Sequence, residues 1–274
     1  MPIRLIAMDM DGTLLDADHV HVSKRNVEAL RAARDKGVKI VLASGRTWCL
    51  LGGVREQLGC VDYGVISNGA AIVEAHTGEY HSQGAIPNAQ ALLIADILCR
   101  YGLYFEVYAK GECFVQASQR EYLQENYLNP AFGGYFASVT TWCDSLERGL
   151  DGRDVEKFNI IYLPPEIREQ LEADLAATRV PLEWAHAFVE NMEFSAKGIK
   201  KGETLAALCR RLGITPDEVM AFGDGGNDVD MLNYAGLSFA MENGAPSVKR
   251  VAKYLAPPNT NSGVGRMVEK YILL

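Results

Sequence analysis

Two acidic segments carry residue types that could bind a metal ion and take part in catalysis. Asp9–Thr13 reads Asp-Met-Asp-Gly-Thr, Gly223–Asp228 reads Gly-Asp-Gly-Gly-Asn-Asp, and each follows an apolar run. Both runs are predicted to be buried parallel strands, and ligands bind at the carboxyl edge of such sheets. Taken singly, each segment is also compatible with a turn whose acidic side chains cap a loop or face solvent. An EF-hand is excluded, because Leu14 and Val20 stand where its loop requires Gly and Glu.

If the two strands are neighbours, their acidic side chains converge at one edge of the sheet. Like charges at ~4 Å repel by about 4 kcal/mol per pair at an effective dielectric near 20, so the cluster requires a cation or protonation. A hard divalent ion with oxygen ligands, Mg²⁺, meets that requirement. The carboxylates expected to converge are those of Asp9, Asp11, Asp224 and Asp228.

Two further positions could hold an anion opposite the metal. Ser44 and Gly45 follow the second predicted strand, where a hydroxyl and backbone N–H groups can face a phosphate, although an N-cap serine explains Ser44 equally well. Lys201 begins a predicted helix, where the helix dipole disfavours a cation unless an anion is bound. A solvated lysine is the alternative, and Lys197 and Lys200 compete with Lys201 for the role.

The elements that must position these residues follow the rhythm of an α/β fold. Strand, helix, strand, helix, strand over the first 66 residues predicts a doubly wound, Rossmann-like parallel sheet. The same rhythm resumes near residue 201. The predicted strands are Ile3–Met8, Val38–Ala43, Val65–Ile66, Val219–Phe222 and Leu237–Met241, and the predicted helices run from Ser23 to Gly37, Thr47–Leu58, Lys201–Leu212, Val229–Tyr234 and Gly265–Ile272.

Between these two stretches the pattern changes, beginning with a predicted hairpin, Ala70–Val73 and Glu79–His81. We interpret residues 83–187 as an α/β cap domain inserted into a core of residues 1–82 and 188–274. The cap contains several aromatic side chains that could line the mouth of a site, although aromatic residues in such domains more often belong to the core. They include Tyr108, Tyr135, Trp142 and Trp184.

Composition narrows the class of protein. The 274 residues are 48% hydrophobic and 23% charged, which is ordinary for a globular protein. The formal net charge of −8 argues against binding to nucleic acid or to an anionic membrane. No apolar run is long enough for a signal peptide or a membrane span, and the six cysteines form no Cys-x-x-Cys pair, so we expect a cytoplasmic protein with reduced thiols. No Walker A or G-x-G-x-x-G motif is present.

Taken in order, the segments resemble the haloacid dehalogenase (HAD) superfamily, in particular its Cof-type sugar-phosphate phosphatase branch. The family's α/β cap is inserted between the second and third motifs, where the pattern changes in this chain. One departure is Asp230, where relatives more often carry a small or apolar residue, with little expected effect on chemistry. The matching residues are Asp9–Leu14, Ala43–Arg46, Lys201–Gly202 and Gly223–Asp228, with Ile66–Ala70 and Ala240–Asn243 also similar.

The resemblance implies a role for each matching position. Asp9 would be the nucleophile that forms an aspartyl-phosphate, and Asp11 the acid that protonates the leaving alcohol and then activates water. Mg²⁺ would be held by Asp9, the backbone carbonyl of Asp11 and Asp224, with Asp228 in its outer shell. The family pattern selects Lys201, because it is the lysine immediately before a glycine at the start of this predicted helix. The groups implied to bind the phosphoryl oxygens are Ser44 and Gly45, the Met10 backbone N–H, Lys201 and Asn227.

The function expected from these implied roles is Mg²⁺-dependent hydrolysis of small phosphorylated metabolites, in particular sugar phosphates. A phosphomutase would use the same nucleophile but return the phosphoryl group to its substrate. A metal or phosphate sensor that retains the fold without catalysis is the alternative from another class.

Overall fold

The computed structural model describes residues 2–122, 130–185 and 190–274, and the side chains of all of these except residues 130 and 131. The chain divides into two compact units. The first consists of Met1–Gln83 and Lys200–Leu274, and the second is Gly84–Ile199. The predicted boundary between residues 82 and 83 falls next to the observed division. The other predicted boundary, between 187 and 188, lies outside the described residues.

Strands and helices alternate along the described parts of the chain. The strands are β1 (Leu5–Met8), β2 (Lys39–Ala43), β3 (Tyr63–Ile66), β4 (Ala71–Glu74), β5 (Tyr80–Ser82), β6 (Glu106–Ala109), β7 (Glu112–Gln116), β8 (Thr140–Cys143), β9 (Lys157–Ile160), β10 (Leu182–Ala185), β11 (Met192–Ala196), β12 (Val219–Gly223), β13 (Leu237–Met241) and β14 (Tyr254–Ala256). The α-helices are α1 (Lys24–Asp35), α2 (Gly52–Leu58), α3 (Asn88–Arg100), α4 (Pro130–Val139), α5 (Leu146–Leu150), α6 (Pro165–Ala177), α7 (Lys201–Leu212), α8 (Val229–Tyr234), α9 (Pro246–Val251) and α10 (Gly263–Val268). Within the described ranges, no helix combines the length and apolarity needed to cross a bilayer.

The first unit is built on an eight-stranded sheet with the order β14-β13-β12-β1-β2-β3-β4-β5. Neighbouring strands from β14 to β3 are parallel, and the hairpin of β4 and β5 adds an antiparallel edge. Apolar clusters cover both faces of this sheet, which is why β1 is buried along its whole length. The predicted doubly wound α/β fold is confirmed.

Strand β1 lies where the strand order reverses, between β12 and β2. Its register pairs Met8 with Phe222 of β12 and with Leu42 of β2. The residues after these three strand ends therefore emerge side by side at the carboxyl edge of the sheet. Such a switch point is where open α/β sheets bind ligands, because the connecting helices leave in opposite directions and open a crevice.

The second unit contains a six-stranded sheet with the order β10-β11-β9-β6-β7-β8. All neighbouring pairs are antiparallel except β7 with β8. The sequence predicts that residues 188–199 belong to the core, but β11 pairs with β9 and β10 of this sheet. The reason is that β11 lies between β10 and β9, and both of these strands come from the inserted segment.

The two faces of the second sheet differ in character. One face packs Phe105, Phe158 and Phe194 into an apolar core with α3 and α6. Because side chains alternate along a strand, the neighbouring positions point the other way. They are polar and mostly buried, and they include Glu106, Tyr108, Lys157, Asn159 and Glu193.

Candidate active site

Three carboxylates meet at the carboxyl edge of the first sheet. Asp9 directly follows β1, and Asp224 and Asp228 lie in the loop and short 3₁₀ turn after β12. One oxygen from each carboxylate lies within 4.8 Å of the other two. Their meeting follows from the parallel pairing of β1 with β12, which brings residues 9 and 224 to the same edge. The structure thus brings together three of the four carboxylates that the sequence analysis expected to converge.

A buried lysine lies within this cluster. The Nζ of Lys201 donates to Asp9 Oδ1 at 2.6 Å and to Asp228 Oδ1 at 2.8 Å, and its side chain is fully buried. Lys201 is the first residue of α7, where its charge opposes the helix dipole, so the two carboxylates offset an otherwise unfavourable position. Lys197 and Lys200, its competitors in the sequence, are both exposed.

The cluster holds more negative than positive charge. Burial raises the pKa of Asp9 well above its usual value; the Lys201 charge opposes this, and repulsion from Asp228 and Asp224 adds to it. Burial also raises the pKa of Asp224 to about 6, despite a hydrogen bond from Thr13. Burial lowers the pKa of Lys201, but the charges of Asp228 and Asp9 more than offset this and raise it overall. Hard oxygen donors with surplus negative charge fit a divalent cation such as Mg²⁺.

Asp228 organises the loop that carries Asp224. Its Oδ1 accepts from Lys201, and its Oδ2 accepts from the backbone N–H groups of Asp224 and Gly225, each at 3.0 Å. The side chain is fully buried, so its two oxygens are committed to holding the lysine and the loop. This arrangement fits the outer-shell position that the resemblance implies for Asp228.

Gly12 and Thr13 set the position of the Asp224 carboxylate. Thr13 Oγ1 donates to Asp224 Oδ1 at 2.6 Å. Gly12 has a φ of +75°, and a Cβ at this position would lie 2.3 Å from Asp224 Oδ2. Only glycine combines this backbone conformation with such a close approach. Both residues belong to the motif identified in the sequence but receive no role there, although a glycine directly after a candidate acid is a usable signal.

Asp11 lies apart from the three-carboxylate group. Its carboxylate accepts from Arg46 Nε at 2.9 Å and Nη2 at 2.5 Å, and His19 Nδ1 lies 3.0 Å from Oδ1. Burial raises the pKa of Asp11, but the Arg46 charge and the hydrogen bonds from His19 and Arg46 prevail and lower it to about 2. In this conformation Asp11 is ionised. Neither partner is predicted from the sequence, because nothing in the spacing of Arg46 or His19 connects it to residue 11.

The residues predicted to bind the phosphoryl group lie around the same edge. Ser44 is buried after β2, and its Oγ accepts from the backbone N–H of Arg46 at 3.1 Å. A 3₁₀ turn comes next and α2 begins only at Gly52, so Ser44 does not begin the predicted helix. Asn227 Nδ2 donates to Asn68 Oδ1 at 3.1 Å. Met10 is fully buried and Gly45 is half-buried.

Asp230, the departure from the family pattern, contacts the beginning of α7. Its Oδ2 accepts from the backbone N–H of Gly202 at 2.9 Å. A carboxylate on a free N–H in the first turn of a helix is stabilising, because the helix dipole favours negative charge there. Asp230 thus helps to fix the helix that presents Lys201.

A doubly wound sheet with an acidic cluster beside β1 is the arrangement expected of the hydrolase class that the motifs resemble. The chain matches the model of haloacid dehalogenase-like hydrolases over residues 6–268. It is 30% identical over 271 residues to a 5-amino-6-(5-phospho-D-ribitylamino)uracil phosphatase of Bacillus subtilis, covering 99% of this chain and 96% of that protein. The chain therefore belongs to the haloacid dehalogenase-like hydrolase family, as the resemblance predicted, and it is a phosphatase.

Solved structures agree with this assignment. A haloacid dehalogenase-like hydrolase from Bacteroides thetaiotaomicron superposes with a TM-score of 0.82 at 25% identity, covering 98% of this chain and 99% of that one. A haloacid dehalogenase-like hydrolase from B. subtilis gives the same TM-score at 26% identity, covering 97% and 99% of the two chains. Both likenesses extend over nearly the whole length of each chain.

Proposed function

We propose that this protein is a Mg²⁺-dependent phosphomonoesterase that hydrolyses small phosphorylated metabolites through an aspartyl-phosphate on Asp9. The observation that carries the proposal is the position of Asp9, with one carboxylate oxygen on the buried Lys201 ammonium and two further carboxylates within 4.8 Å. A carboxylate fixed between a cation and a cation-binding group can approach an anionic phosphoryl group with less repulsion.

Asp9 and Asp11 perform the two chemical steps. An oxygen of Asp9 attacks phosphorus in line, and a new P–O bond forms as the bond to the leaving alcohol breaks. Asp11, in its protonated form, gives its proton to the leaving oxygen. A water molecule then transfers a proton back to Asp11 and attacks phosphorus, which releases phosphate and restores Asp9.

The acid role of Asp11 requires a change in its surroundings. Beside Arg46 and His19 its pKa is about 2, so at neutral pH it has no proton to donate. Proton transfer to a leaving group therefore requires the Asp11 carboxyl to leave these two partners. About 40% of its side chain is exposed, which leaves room for that rotation.

The metal and the phosphoryl group have separate sets of partners. Asp9, Asp224 and the backbone carbonyl of Asp11 would hold Mg²⁺, and Asp228 would keep the Asp224 loop in place. When bound, the ion supplies positive charge to the phosphoryl oxygens. The groups that bind those oxygens are Ser44, Gly45, the Met10 N–H, Lys201 and Asn227.

The relatives support a substrate with a polyhydroxylated carbon chain. The B. subtilis uracil phosphatase to which this chain is 30% identical acts, by its name, on a phosphorylated ribityl group. Two further relatives, from Escherichia coli and B. subtilis, carry the same activity in their names. A phosphate ester on a sugar or sugar alcohol is therefore the substrate class that we propose.

The proposal is tested by incubating the purified protein with sugar phosphates, sugar-alcohol phosphates and nucleoside monophosphates, with Mg²⁺ or with EDTA. Inorganic phosphate and isomerised substrate are both measured, so that hydrolysis is distinguished from mutase activity. We expect Mg²⁺-dependent release of phosphate. Asp9→Asn abolishes it with an unchanged circular dichroism spectrum, because a neutral amide is a poor nucleophile.

Asp35→Asn is the matched control, since Asp35 is exposed at the end of α1 and has no part in the site. It retains wild-type turnover. Hydrolysis by Asp9→Asn at the wild-type rate would refute the role of Asp9. A wild-type protein that releases no phosphate from any member of the panel would refute the proposed function.

A further inference from the structure

The turn after β3 has an unusual backbone. Ser67, Asn68 and Gly69 have φ values of +52°, +60° and +107°, three consecutive residues in the left-handed region. This region is unfavourable for non-glycine residues, more so for serine than for asparagine. All three residues are buried. A strained turn persists only where the surrounding structure fixes it, and such turns cluster at functional sites.

The backbone of this turn holds the loop that carries Ser44. The N–H of Asn68 donates to the carbonyl of Ser44 at 3.1 Å, and the N–H of Ser67 donates to the carbonyl of Arg46 at 3.0 Å. Both donors of the left-handed turn therefore bind the loop that follows β2. The strained conformation is therefore coupled to the position of a proposed phosphoryl-binding group.

The end of the turn supports the first residues of α7. Thr204 Oγ1 donates to the carbonyl of Gly69 at 2.6 Å. A Cβ at Gly69 would lie 2.5 Å from the carbonyl oxygen of Lys200 and 3.0 Å from the backbone nitrogen of Lys201. The helix that presents Lys201 thus packs directly on this glycine.

The side chain in the middle of the turn contacts a third part of the site. Asn68 Oδ1 accepts from Asn227 Nδ2 at 3.1 Å, and only 7% of Asn68 is exposed. This hydrogen bond fixes the amide of Asn227, which belongs to the loop after β12. One turn therefore touches the three chain segments that carry Ser44, Lys201 and Asn227.

We propose that the turn Ser67–Gly69 is a positioning element for phosphate binding, in which Asn68 acts through Asn227. The inference rests on the proposed function and extends it to a segment that is given no chemical role there. Asn68 orients the amide that binds a phosphoryl oxygen, while the backbone of the turn sets the distance between the Ser44 loop and α7. The strain in the turn is the cost of bringing these three segments to one point.

Asn68→Gly removes the side chain but leaves the backbone of the turn unchanged, because glycine adopts a φ of +60° without strain. The variant therefore measures the contribution of the side chain alone. We expect an unchanged melting temperature, a KM and an inhibition constant for inorganic phosphate that rise about fivefold to tenfold, and a much smaller change in kcat. The matched control is Arg179→Gly, at an exposed residue of the second unit that also has a φ of +60°. It leaves KM and phosphate inhibition unchanged.

A double-mutant cycle with Asn227→Ala tests the path of the effect. If Asn68 acts through Asn227, Asn68→Gly changes the KM of the Asn227→Ala protein by less than about twofold. An undiminished effect in that background, or an unchanged KM in Asn68→Gly alone, would overturn the inference. A lower melting temperature with unchanged phosphate inhibition would likewise overturn it, because the role would then be structural only.

Calorimetric titration with inorganic phosphate in the presence of Mg²⁺ makes the test independent of turnover. Weaker phosphate binding by Asn68→Gly than by the wild-type protein supports the positioning role even if no phosphomonoester is hydrolysed. Equal phosphate binding overturns that role even if the wild-type protein is an active phosphatase. Failure of the inference and failure of the proposed function therefore give different results.

Discussion

Each unit contains a cluster of buried charge, and the two clusters differ in how that charge is balanced. In the first unit, one ammonium, that of Lys201, contacts two carboxylates, Asp9 and Asp228, and the carboxylate of Asp224 lies within the same group. Burial and mutual repulsion raise the pKa values of Asp9 and Asp224. The charges in this cluster are not balanced by its own side chains.

In the second unit each charged group has matching donors or acceptors. Lys157 Nζ donates to Glu193 Oε1 at 2.9 Å, which pairs one cation with one anion. Glu106 accepts from the Tyr108 hydroxyl at 2.6 Å and from Asn159 Nδ2 at 2.8 Å. Burial raises the pKa of Glu106, and these two neutral donors oppose the rise.

The difference shows which feature of a buried cluster points to a ligand. Both clusters are buried and hydrogen-bonded, so burial of charge does not by itself mark a site. The first cluster has the larger surplus of negative charge, with three carboxylates to one ammonium where the second cluster has two to one, and the protein alone relieves it by raising pKa values. A cation relieves the same surplus without protonation, which is why the first cluster is a candidate metal site.

The largest expected effect comes from removing the two buried lysines in turn. Lys201→Met takes the ammonium from two buried carboxylates and destabilises the protein by about 3–5 kcal/mol. It also lowers kcat/KM by a factor of about 100 or more, because Lys201 no longer offsets the charge of the substrate. Urea denaturation and steady-state kinetics measure the two effects.

Lys157→Met is the counterpart in the second unit, and there a second substitution restores stability. Lys157→Met/Glu193→Leu removes both charges of the pair. We therefore expect its free energy of unfolding to lie within about 1 kcal/mol of the wild-type value. In the first unit, Lys201→Met/Asp228→Asn does not restore wild-type stability, because the carboxylate of Asp9 stays buried beside that of Asp224. Lys197→Ala serves as the exposed control. Wild-type stability in the Lys201→Met/Asp228→Asn protein would contradict the contrast between the two clusters.

A smaller effect is expected from Gly12→Ala, with Gly78→Ala as its matched control. Both glycines lie in the left-handed region, with φ values of +75° and +73°. A Cβ at Gly12 meets the Asp224 carboxylate, whereas a Cβ at Gly78 meets nothing within 4 Å. The control therefore measures backbone strain alone, of about 1–2 kcal/mol.

Gly12→Ala causes the same backbone strain and in addition displaces the carboxylate of Asp224, a proposed metal ligand. We expect kcat/KM to fall by a factor of about 10 to 100, with a higher Mg²⁺ concentration for half-maximal activity, because misplaced ligands weaken metal binding. Gly78→Ala keeps the wild-type Mg²⁺ dependence. Equal kinetic parameters for the two variants would show that the approach of Gly12 to Asp224 is unimportant.

The convergence of the first cluster could be predicted from the sequence because it follows from topology. The apolar runs before Asp9 and Asp224 identify buried parallel strands, and the carboxyl ends of such strands meet at one edge. The lysine required the family resemblance, because Lys197, Lys200 and Lys201 do not differ in local pattern. The physical difference between them, burial against Asp9, exists only in the folded chain.

Contacts between distant segments could not be predicted in this way. Arg46 reaches Asp11 across 35 residues, and Asn227 reaches Asn68 across 159. Such pairs depend on rotamers and on the paths of loops, and neither is encoded in a hydrophobic period. The assignment of β11 to the wrong unit has a similar cause, because a strand of alternating apolar and polar residues can pair with any strand that the fold brings beside it.

The smallest expected effect concerns stability, pH and Mg²⁺. The pKa of the Asp224 carboxyl is about 6 in the folded, metal-free protein and near 3.9 in an unfolded chain. Because the pKa is higher in the folded protein, protonation of Asp224 favours folding. This contribution to stability is complete below about pH 4 and is lost as the pH rises through 6. Mg²⁺ binds the ionised carboxylate, so it stabilises most where this contribution has been lost.

At about ten times its dissociation constant, Mg²⁺ should therefore raise the melting temperature by about 3–6 °C at pH 7.5 and by less at pH 5, measured by thermal denaturation. In EDTA at pH 7.5, Asp224→Asn melts above the wild-type protein and loses the Mg²⁺ shift, because the amide removes one of the crowded charges. Lys157→Met/Glu193→Leu keeps the full shift, since neither residue belongs to the group of carboxylates proposed to hold the ion. Equal shifts at the two pH values would mean that Mg²⁺ is not relieving the repulsion among Asp9, Asp224 and Asp228.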